Sequence, residues 1–197
     1  MTTSVVFVGV GGQGILLASE IIAQAAVVAG FDVKTNEVHG MAQRGGSVVA
    51  QVRYGKKVYS PLIPRRTASV LGALEVVESL RWTDYLAADA FAVVSSQRIV
   101  PVTVSGGAAT YPELNETVLS RYFSNLVYLD AVEKATELGN AKASNVLLLG
   151  AMSTRLHLPR EAWEEAIRSS VKPKFVEINL RAFEAGRAAV LENGTVG

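Results

Sequence analysis

Closely spaced glycines near the start of the chain have the pattern of a phosphate-binding turn. They lie between a short apolar run, 4–8, and an alanine-rich segment, 15–29. In a G-x-G-x-x-G turn the glycines permit a tight bend, close approach of a phosphate, and close packing of the next helix, whose N-terminus favours negative charge. We predict either a structural bend or a site for a phosphate-bearing ligand. The candidate ligand-binding residues of this turn are Gly9, Gly11, Gly12, Gln13 and Gly14.

A second glycine motif follows the predicted second strand. Loops at the carboxyl ends of parallel strands line the ligand crevice, so we expect this loop to lie beside the first turn. Arg44 suits a carboxylate or phosphate, and Glu37 could pair with Arg44 or reach a partner subunit. The alternative is a loop-shaping segment with one internal salt bridge. The candidate ligand-binding residues of this loop are Glu37, His39, Gly40, Arg44, Gly45 and Gly46.

The first glycine turn also admits a nicotinamide dinucleotide. A ribose-binding acid is then expected about 20 residues on, and Glu37 lies near that position. No substrate domain or acid/base group is evident, so NAD(P) binding is the less favoured interpretation. His39 could shuttle a proton, but we interpret it as a hydrogen-bonded spacer and His157 as structural. The serines have no neighbouring base, and no catalytic residue is assigned to this chain.

Composition excludes several classes of site. The 197 residues include no cysteine and two histidines, which excludes disulfides and a cysteine-ligated iron–sulfur cluster and argues against a zinc site. The net charge of +1 argues against nucleic-acid and membrane partners. Residues 38–74 contain no acid, and this basic stretch is a candidate anion-facing surface. Its cations are Arg44, Arg53, Lys56, Lys57, Arg65 and Arg66.

The chain is rich in apolar residues. They make up 49% of the sequence, which favours a large partner interface over an unusually compact core. The N-terminus lacks the basic region of a signal peptide, and the segment 15–29 is too short to span a bilayer. We therefore expect a cytoplasmic protein without membrane contacts.

The periodicity of the chain predicts an α/β fold. We expect one domain, 1–197, with a Rossmann-like, mostly parallel sheet, flanking helices and a helical C-terminal part. An antiparallel hairpin is expected to join the strand 47–54 to a return strand at 58–59. The other predicted strands are 4–8, 31–35, 68–74, 90–95 and 127–129. The predicted helices include 15–29, 75–86, 145–156, 161–170 and 178–191, with irregular segments at 100–111 and 192–197.

Several segments resemble the gamma-type subunits of 2-oxoacid:ferredoxin oxidoreductases. The run Gly9-Val-Gly-Gly-Gln-Gly with Ile-Leu-Leu-Ala-Ser-Glu after it is similar to the opening of that family. Glu37-Val-His-Gly-Met-Ala-Gln-Arg-Gly-Gly-Ser-Val-Val resembles its second block, in the form typical of the indolepyruvate branch. Weaker similarity continues through 145–151 and at Asn179, Ala182, Phe183 and Gly186, so the resemblance covers nearly the whole chain.

The resemblance implies a role within an enzyme complex. Such enzymes oxidatively decarboxylate a 2-oxoacid, here indolepyruvate or another arylpyruvate, to an acyl-CoA, CO2 and reduced ferredoxin. It implies that a large partner subunit holds thiamine diphosphate and the iron–sulfur clusters, and that this chain is inactive alone. The two glycine segments would form part of the wall facing coenzyme A or substrate. Pyruvate, 2-oxoglutarate and a branched-chain oxoacid remain alternative substrates.

Overall fold

The computed structural model describes residues 2–40, 45–100 and 110–193. Within these ranges the strands are β1 (Thr2–Val10), β2 (Asp32–His39), β3 (Ser47–Gly55), β4 (Ala68–Ala73), β5 (Leu86–Ser95) and β6 (Asn125–Leu129). They form one sheet in the order β2-β3-β1-β4-β5-β6. Strand β3 pairs antiparallel with β1 and β2, whereas β1, β4, β5 and β6 pair in parallel. The predicted mostly parallel sheet with an antiparallel hairpin is therefore confirmed.

Seven α-helices occur in the described ranges, and they confirm the helical C-terminal part. They are α1 (Ile15–Val28), α2 (Val76–Leu80), α3 (Glu116–Leu119), α4 (Ala131–Glu137), α5 (Ser144–Ser153), α6 (Arg160–Ser170) and α7 (Val176–Asn193). Residues of α1, α4, α5, α6 and α7 share one apolar cluster. Residues of α2 and α3 belong to the other. Among these seven, none combines the length and apolar character that crossing a bilayer requires.

The alternating side chains of β1 divide the core between the two faces of the sheet. Val5 and Phe7 face the five-helix side, and Val6 and Val8 face the side of α2 and α3. Every residue of α5 is buried, as its apolar sequence predicted. The sheet is therefore covered on both faces, and its carboxyl edge remains as the place where loops can meet.

The first β–α–β segment differs from a simple parallel unit. The predicted second strand is confirmed as β2, but β3 lies between it and β1. Since neighbouring strands are about 4.8 Å apart, this insertion places β2 about 10 Å from β1. The start of β3 consequently lies next to the end of β1, where Val10 pairs with Ser47.

The predicted return strand at 58–59 is wrong, because the antiparallel hairpin joins β2 to β3 instead. The segment after β3 is held by side chains rather than by a strand partner. The amide of Val58 donates to Asp32 Oδ2 at 2.9 Å, and that of Ile63 donates to Gln51 Oε1 at 2.8 Å. Arg53 donates to the carbonyl oxygens of Ser60 and Leu62 at 2.9 and 3.1 Å. The bond from Val58, together with the lysine beside Asp32, lowers the pKa of Asp32 to about 2.

The predicted helix 75–86 is also shorter than expected. The α-helix ends at Leu80, a 3-10 turn covers Thr83–Tyr85, and β5 begins at Leu86. The hydroxyl of Thr83 donates to the carbonyl oxygen of Leu80 at 3.1 Å, a local bond that competes with continued helix. The predicted irregular segments 100–111 and 192–197 lie largely outside the described residues.

Candidate ligand-binding cleft

The two glycine segments predicted from the sequence are in direct contact. The amide of Gly11 donates to the carbonyl oxygen of Gly46 at 2.8 Å, and the amide of Gly45 donates to the carbonyl oxygen of Gly11 at 3.4 Å. The expectation that the turn and the loop lie side by side is therefore confirmed. Both lie at the carboxyl edge of the sheet, where parallel folds place their ligands.

A cleft of about 420 Å³ opens along this contact. Its described wall combines glycine backbone with apolar side chains and one imidazole, and none of the described lining residues is acidic. Such a surface suits a ligand that approaches the backbone closely and carries both apolar and anionic parts. The residues that line it are Gly11, Gly12, Gly14, Ile15, Leu16, His39 and Val48.

The backbone of the first turn requires glycine at two positions. Gly12 has φ 103° and Gly14 has φ 81°, both in the region that side chains disfavour. A β-carbon on Gly14 would also lie 2.5 Å from Asn145 Nδ2, which donates to the Gly14 carbonyl oxygen at 3.0 Å. Gly14 thus begins α1 and lets that helix pack against α5. The first amides of α1 have no partner within the helix and lie at its positive end.

The side chain of Gln13 turns inward. Its Oε1 accepts from the Val10 amide at 2.6 Å, and its Nε2 donates to the Leu74 carbonyl and to Gln97 Oε1, both at 2.8 Å. A β-carbon on Gly9 would lie 2.6 Å from the same Gln13 oxygen. Gln13 and Gly9 therefore hold the turn onto the ends of β1 and β4, and neither lines the cleft.

The acidic and imidazole candidates on β2 have different contacts, although both lie on the same strand. Glu37 is exposed and accepts a 2.7 Å hydrogen bond from the hydroxyl of Ser19 on α1. His39 lines the cleft, and its Nδ1 lies 3.3 Å from the Gly40 carbonyl oxygen. Because β3 separates β2 from β1, Glu37 lies a strand further from the first turn than a ribose-binding acid in a dinucleotide fold. This topology argues against the nicotinamide interpretation.

Arg44 and its neighbours 41–43 lie outside the described residues. None of the other cations of the basic stretch is among the described residues that line the cleft. Arg53 binds backbone carbonyls, and Lys57 approaches Asp32 at 3.6 Å. Lys56 follows the last residue of β3, about 30 Å along the strand from the cleft. The described part of the basic stretch therefore does not form a single anion-facing surface.

Two buried acids behind the cleft were not identified from the sequence. Glu78 on α2 accepts a 2.5 Å hydrogen bond from the hydroxyl of Ser47, the first residue of β3. Glu75, at the start of α2, accepts bonds from the Glu78 amide at 2.9 Å and from the Tyr111 hydroxyl. Burial raises the pKa of Glu78, while Ser47 and Arg81 oppose that shift. The sequence did hold a signal for Glu75, because an acid directly after a buried strand lies at the carboxyl edge of the sheet.

Metal ligands are not grouped in the described ranges, where no three His, Asp or Glu side chains lie together. Iron–sulfur ligation by cysteine is impossible for this chain. His157 lies at the junction between α5 and α6 with φ 51°, remote in the chain from the glycine segments. The described lining of the cleft offers glycine backbone, apolar side chains and the imidazole of His39.

The sequence matches a known protein family and a named relative. Residues 4–189 match the family model described as pyruvate ferredoxin/flavodoxin oxidoreductase. The chain is 43% identical over 194 residues to the indolepyruvate oxidoreductase subunit IorB of Thermococcus kodakarensis, covering 96% of each.

Two solved structures share the fold. The gamma subunit of a keto/oxoacid ferredoxin oxidoreductase from Geobacter sulfurreducens has a TM-score of 0.73 at 24% identity, covering 96% of this chain and 99% of that one. A 2-oxoglutarate:ferredoxin oxidoreductase from Magnetococcus marinus has a TM-score of 0.72 at 21% identity, covering 97% of this chain and 31% of that one. With a family match over almost its entire length and a close relative of equal extent, the chain belongs to the pyruvate ferredoxin/flavodoxin oxidoreductase family.

Proposed function

We propose that the chain is the small subunit of an indolepyruvate-type 2-oxoacid:ferredoxin oxidoreductase. The observation that carries this proposal is the 43% identity to an indolepyruvate oxidoreductase subunit across 96% of both chains. The reaction would convert an arylpyruvate and coenzyme A to an acyl-CoA and CO2, with ferredoxin as electron acceptor. The complex would be cytoplasmic.

The catalytic cofactors would belong to a large partner subunit. Thiamine diphosphate would supply the carbanion chemistry of decarboxylation there. Without cysteine, this chain offers no thiolate for an iron–sulfur cluster, which supports a division of labour between two subunits.

The glycine cleft would form part of the wall that faces coenzyme A or the oxoacid. Gly11 and Gly12 expose backbone to the cleft, and the positive end of α1 begins beside them. The described part of the lining contains no acid, which favours an anionic ligand, while Ile15, Leu16 and Val48 offer apolar contact. The Magnetococcus structure contains coenzyme A and 2-oxoglutarate, ligands of the class proposed here.

Anaerobic reconstitution with the purified large subunit tests the proposal. Viologen reduction would be followed with indolepyruvate, coenzyme A and thiamine diphosphate, with and without this chain. We expect activity only when both subunits are present. The proposal fails if the chain neither binds the large subunit nor changes the rate.

The same assay distinguishes the substrate alternatives. Indolepyruvate would be compared with pyruvate, 2-oxoglutarate and a branched-chain oxoacid at matched concentrations. We expect the highest kcat/KM for the aryl substrate. A preference for another oxoacid would keep the subunit role and replace the substrate. Nicotinamide binding by the isolated chain would instead favour the dinucleotide interpretation.

A further inference from the structure

A buried carboxylate lies directly behind the glycine loop. Glu78 is 6% exposed, and both of its oxygens have partners. Oε2 accepts the 2.5 Å hydrogen bond from the Ser47 hydroxyl, and Oε1 lies 3.2 Å from Arg81 Nε. A hydroxyl bound to a carboxylate at this distance forms one of the stronger hydrogen bonds in proteins. The start of β3 is therefore attached to α2 through a side chain.

The helix that carries Glu78 is itself firmly held. The amide of Glu78 donates to Glu75 Oε2 at 2.9 Å, and the amide of Val76 donates to the Gln97 carbonyl oxygen at 3.1 Å. Glu75 is 2% exposed and also binds the Tyr111 hydroxyl. Glu78 thus projects from a helix whose position is set by the ends of β4 and β5.

The attachment reaches the cleft through a short path. Ser47 follows Gly46, whose carbonyl oxygen accepts the 2.8 Å hydrogen bond from the Gly11 amide. The Glu78 carboxylate is therefore connected to Gly11, which lines the cleft, through the Ser47 hydroxyl and the Gly46–Ser47 peptide group. The position of Ser47 determines where Gly46 can accept that bond, and hence how the Gly11 peptide is oriented.

Stability alone does not account for an acid at this place. Burial raises the pKa of Glu78, which means that its charged form is disfavoured there. An uncharged side chain could fill the same space without that penalty. Ionisable groups retained in unfavourable surroundings are concentrated at functional sites.

We propose that Ser47 and Glu78 are positioning residues that fix the Gly45–Gly46 loop against Gly11 and so shape the cleft for its ligand. The inference rests on the proposed function, because the ligand is a substrate of the assembled enzyme. Neither side chain touches that ligand. Their effect is transmitted through the Gly46 carbonyl to the Gly11 backbone.

The first test is Ser47→Ala in the reconstituted complex. We expect the KM for coenzyme A to rise at least fivefold, with kcat within twofold of the wild type, and Ser47→Thr to restore the KM because it keeps a hydroxyl. Ser69→Ala is the matched control, since Ser69 Oγ donates to the Ser4 carbonyl oxygen at the opposite end of the sheet. Its KM should stay within twofold.

A rise in the KM for the oxoacid instead of coenzyme A would also support positioning and would identify the other ligand. Unchanged KM values for both substrates would overturn the proposal, as would a loss confined to kcat. A wild-type chain that restores no activity would refute the proposed function rather than this contact.

A second measurement needs no partner subunit. Hydrogen exchange of the Gly11 amide would be compared by NMR in the isolated wild-type chain and in Ser47→Ala. We expect exchange at least tenfold faster in the variant, because the Gly46 acceptor is no longer held. Exchange within twofold of the wild type, with equal thermal stability, would overturn the positioning role irrespective of the enzyme assay.

Discussion

Gly150 on α5 packs directly against the backbone of Phe183 on α7. A β-carbon at Gly150 would lie 1.9 Å from the Phe183 carbonyl oxygen, and one at Gly186 would lie 1.8 Å from the Leu147 carbonyl oxygen. The two helices therefore touch through reciprocal glycine contacts. Backbone atoms cannot move aside as a flexible side chain can, so this crossing admits no larger residue.

We expect Gly150→Ala to destabilise the protein by about 3 kcal/mol or more, because the helices would have to separate. Urea unfolding with an unchanged m-value would measure the loss. Ala188, exposed on the facing helix α7, supplies a control: Ala188→Ser should stay within about 0.5 kcal/mol of the wild type. An equal effect of both substitutions would contradict the role of the crossing.

The hydroxyl of Tyr54 joins β3 to the segment that follows α5. It donates to the Leu156 carbonyl oxygen at 2.5 Å, and burial raises the pKa of Tyr54 to about 12. Tyr54→Phe leaves that carbonyl without its donor, so we expect a loss of about 1–2 kcal/mol in the free energy of unfolding. Tyr59→Phe, at an exposed position, should change it by less than about 0.5 kcal/mol. Similar losses in both variants would contradict this assignment.

The stability contribution of Glu78 should depend on pH. Its folded-state pKa is raised, so the folded protein favours the protonated form more than the unfolded chain does. Relative to Glu78→Gln, the wild type should therefore lose stability as pH rises from the ordinary glutamate pKa through the raised value, and the difference should be constant above it. Thermal unfolding of both proteins across this range would measure the effect.

The control for that experiment is Glu133→Gln, an exposed acid on α4. The difference in unfolding free energy between Glu133→Gln and the wild type should not increase with pH as it does for Glu78→Gln. Glu78→Gln also loses the ion pair with Arg81, which opposes the expected gain in stability. The Arg81–Glu78 pair is partly exposed, so it contributes at most about 1 kcal/mol. A variant that becomes relatively less stable as pH rises would contradict the assigned direction of the pKa.

Gly12 offers a direct test of the cleft. Gly12→Ala places a methyl group on the cleft wall and strains a backbone with φ 103°. Gly30→Ala introduces comparable strain, φ 83°, at the far end of α1. Both should lose about 1 kcal/mol of stability, but only Gly12→Ala should raise the KM for coenzyme A in the assembled enzyme. Equal KM values in the two variants would remove Gly12 from the ligand site.

The glycine turn was accessible from sequence because its parts are local. Spacing after an apolar run identified the turn, and the carboxyl-edge rule predicted its contact with the Gly45–Gly46 loop. The role of Gln13 was not accessible in this way. Its three hydrogen bonds join residues up to 84 positions apart, and no local pattern specifies them.

The placement of β3 was missed for a related reason. The run 47–54 predicted a strand, and the turn after it suggested a return strand at 58–59. Pairing partners, however, depend on the whole sheet. In the structure, Arg53 and Gln51 use their side chains to satisfy the backbone beyond the strand. The hydrogen bond between Ser47 and Glu78 could not be predicted either. The two residues are 31 positions apart, and neither belongs to a sequence motif that would indicate the contact.

Strand β3 also divides the chain around the cleft into parts that can change independently. Strands β2 and β3 form a hairpin whose ladder spans eight positions, from Asp32 with Gly55 to His39 with Val48. Changes in length between the two strands leave the register of that ladder intact. The segment that joins them can therefore vary in sequence and length while the sheet and its helices persist.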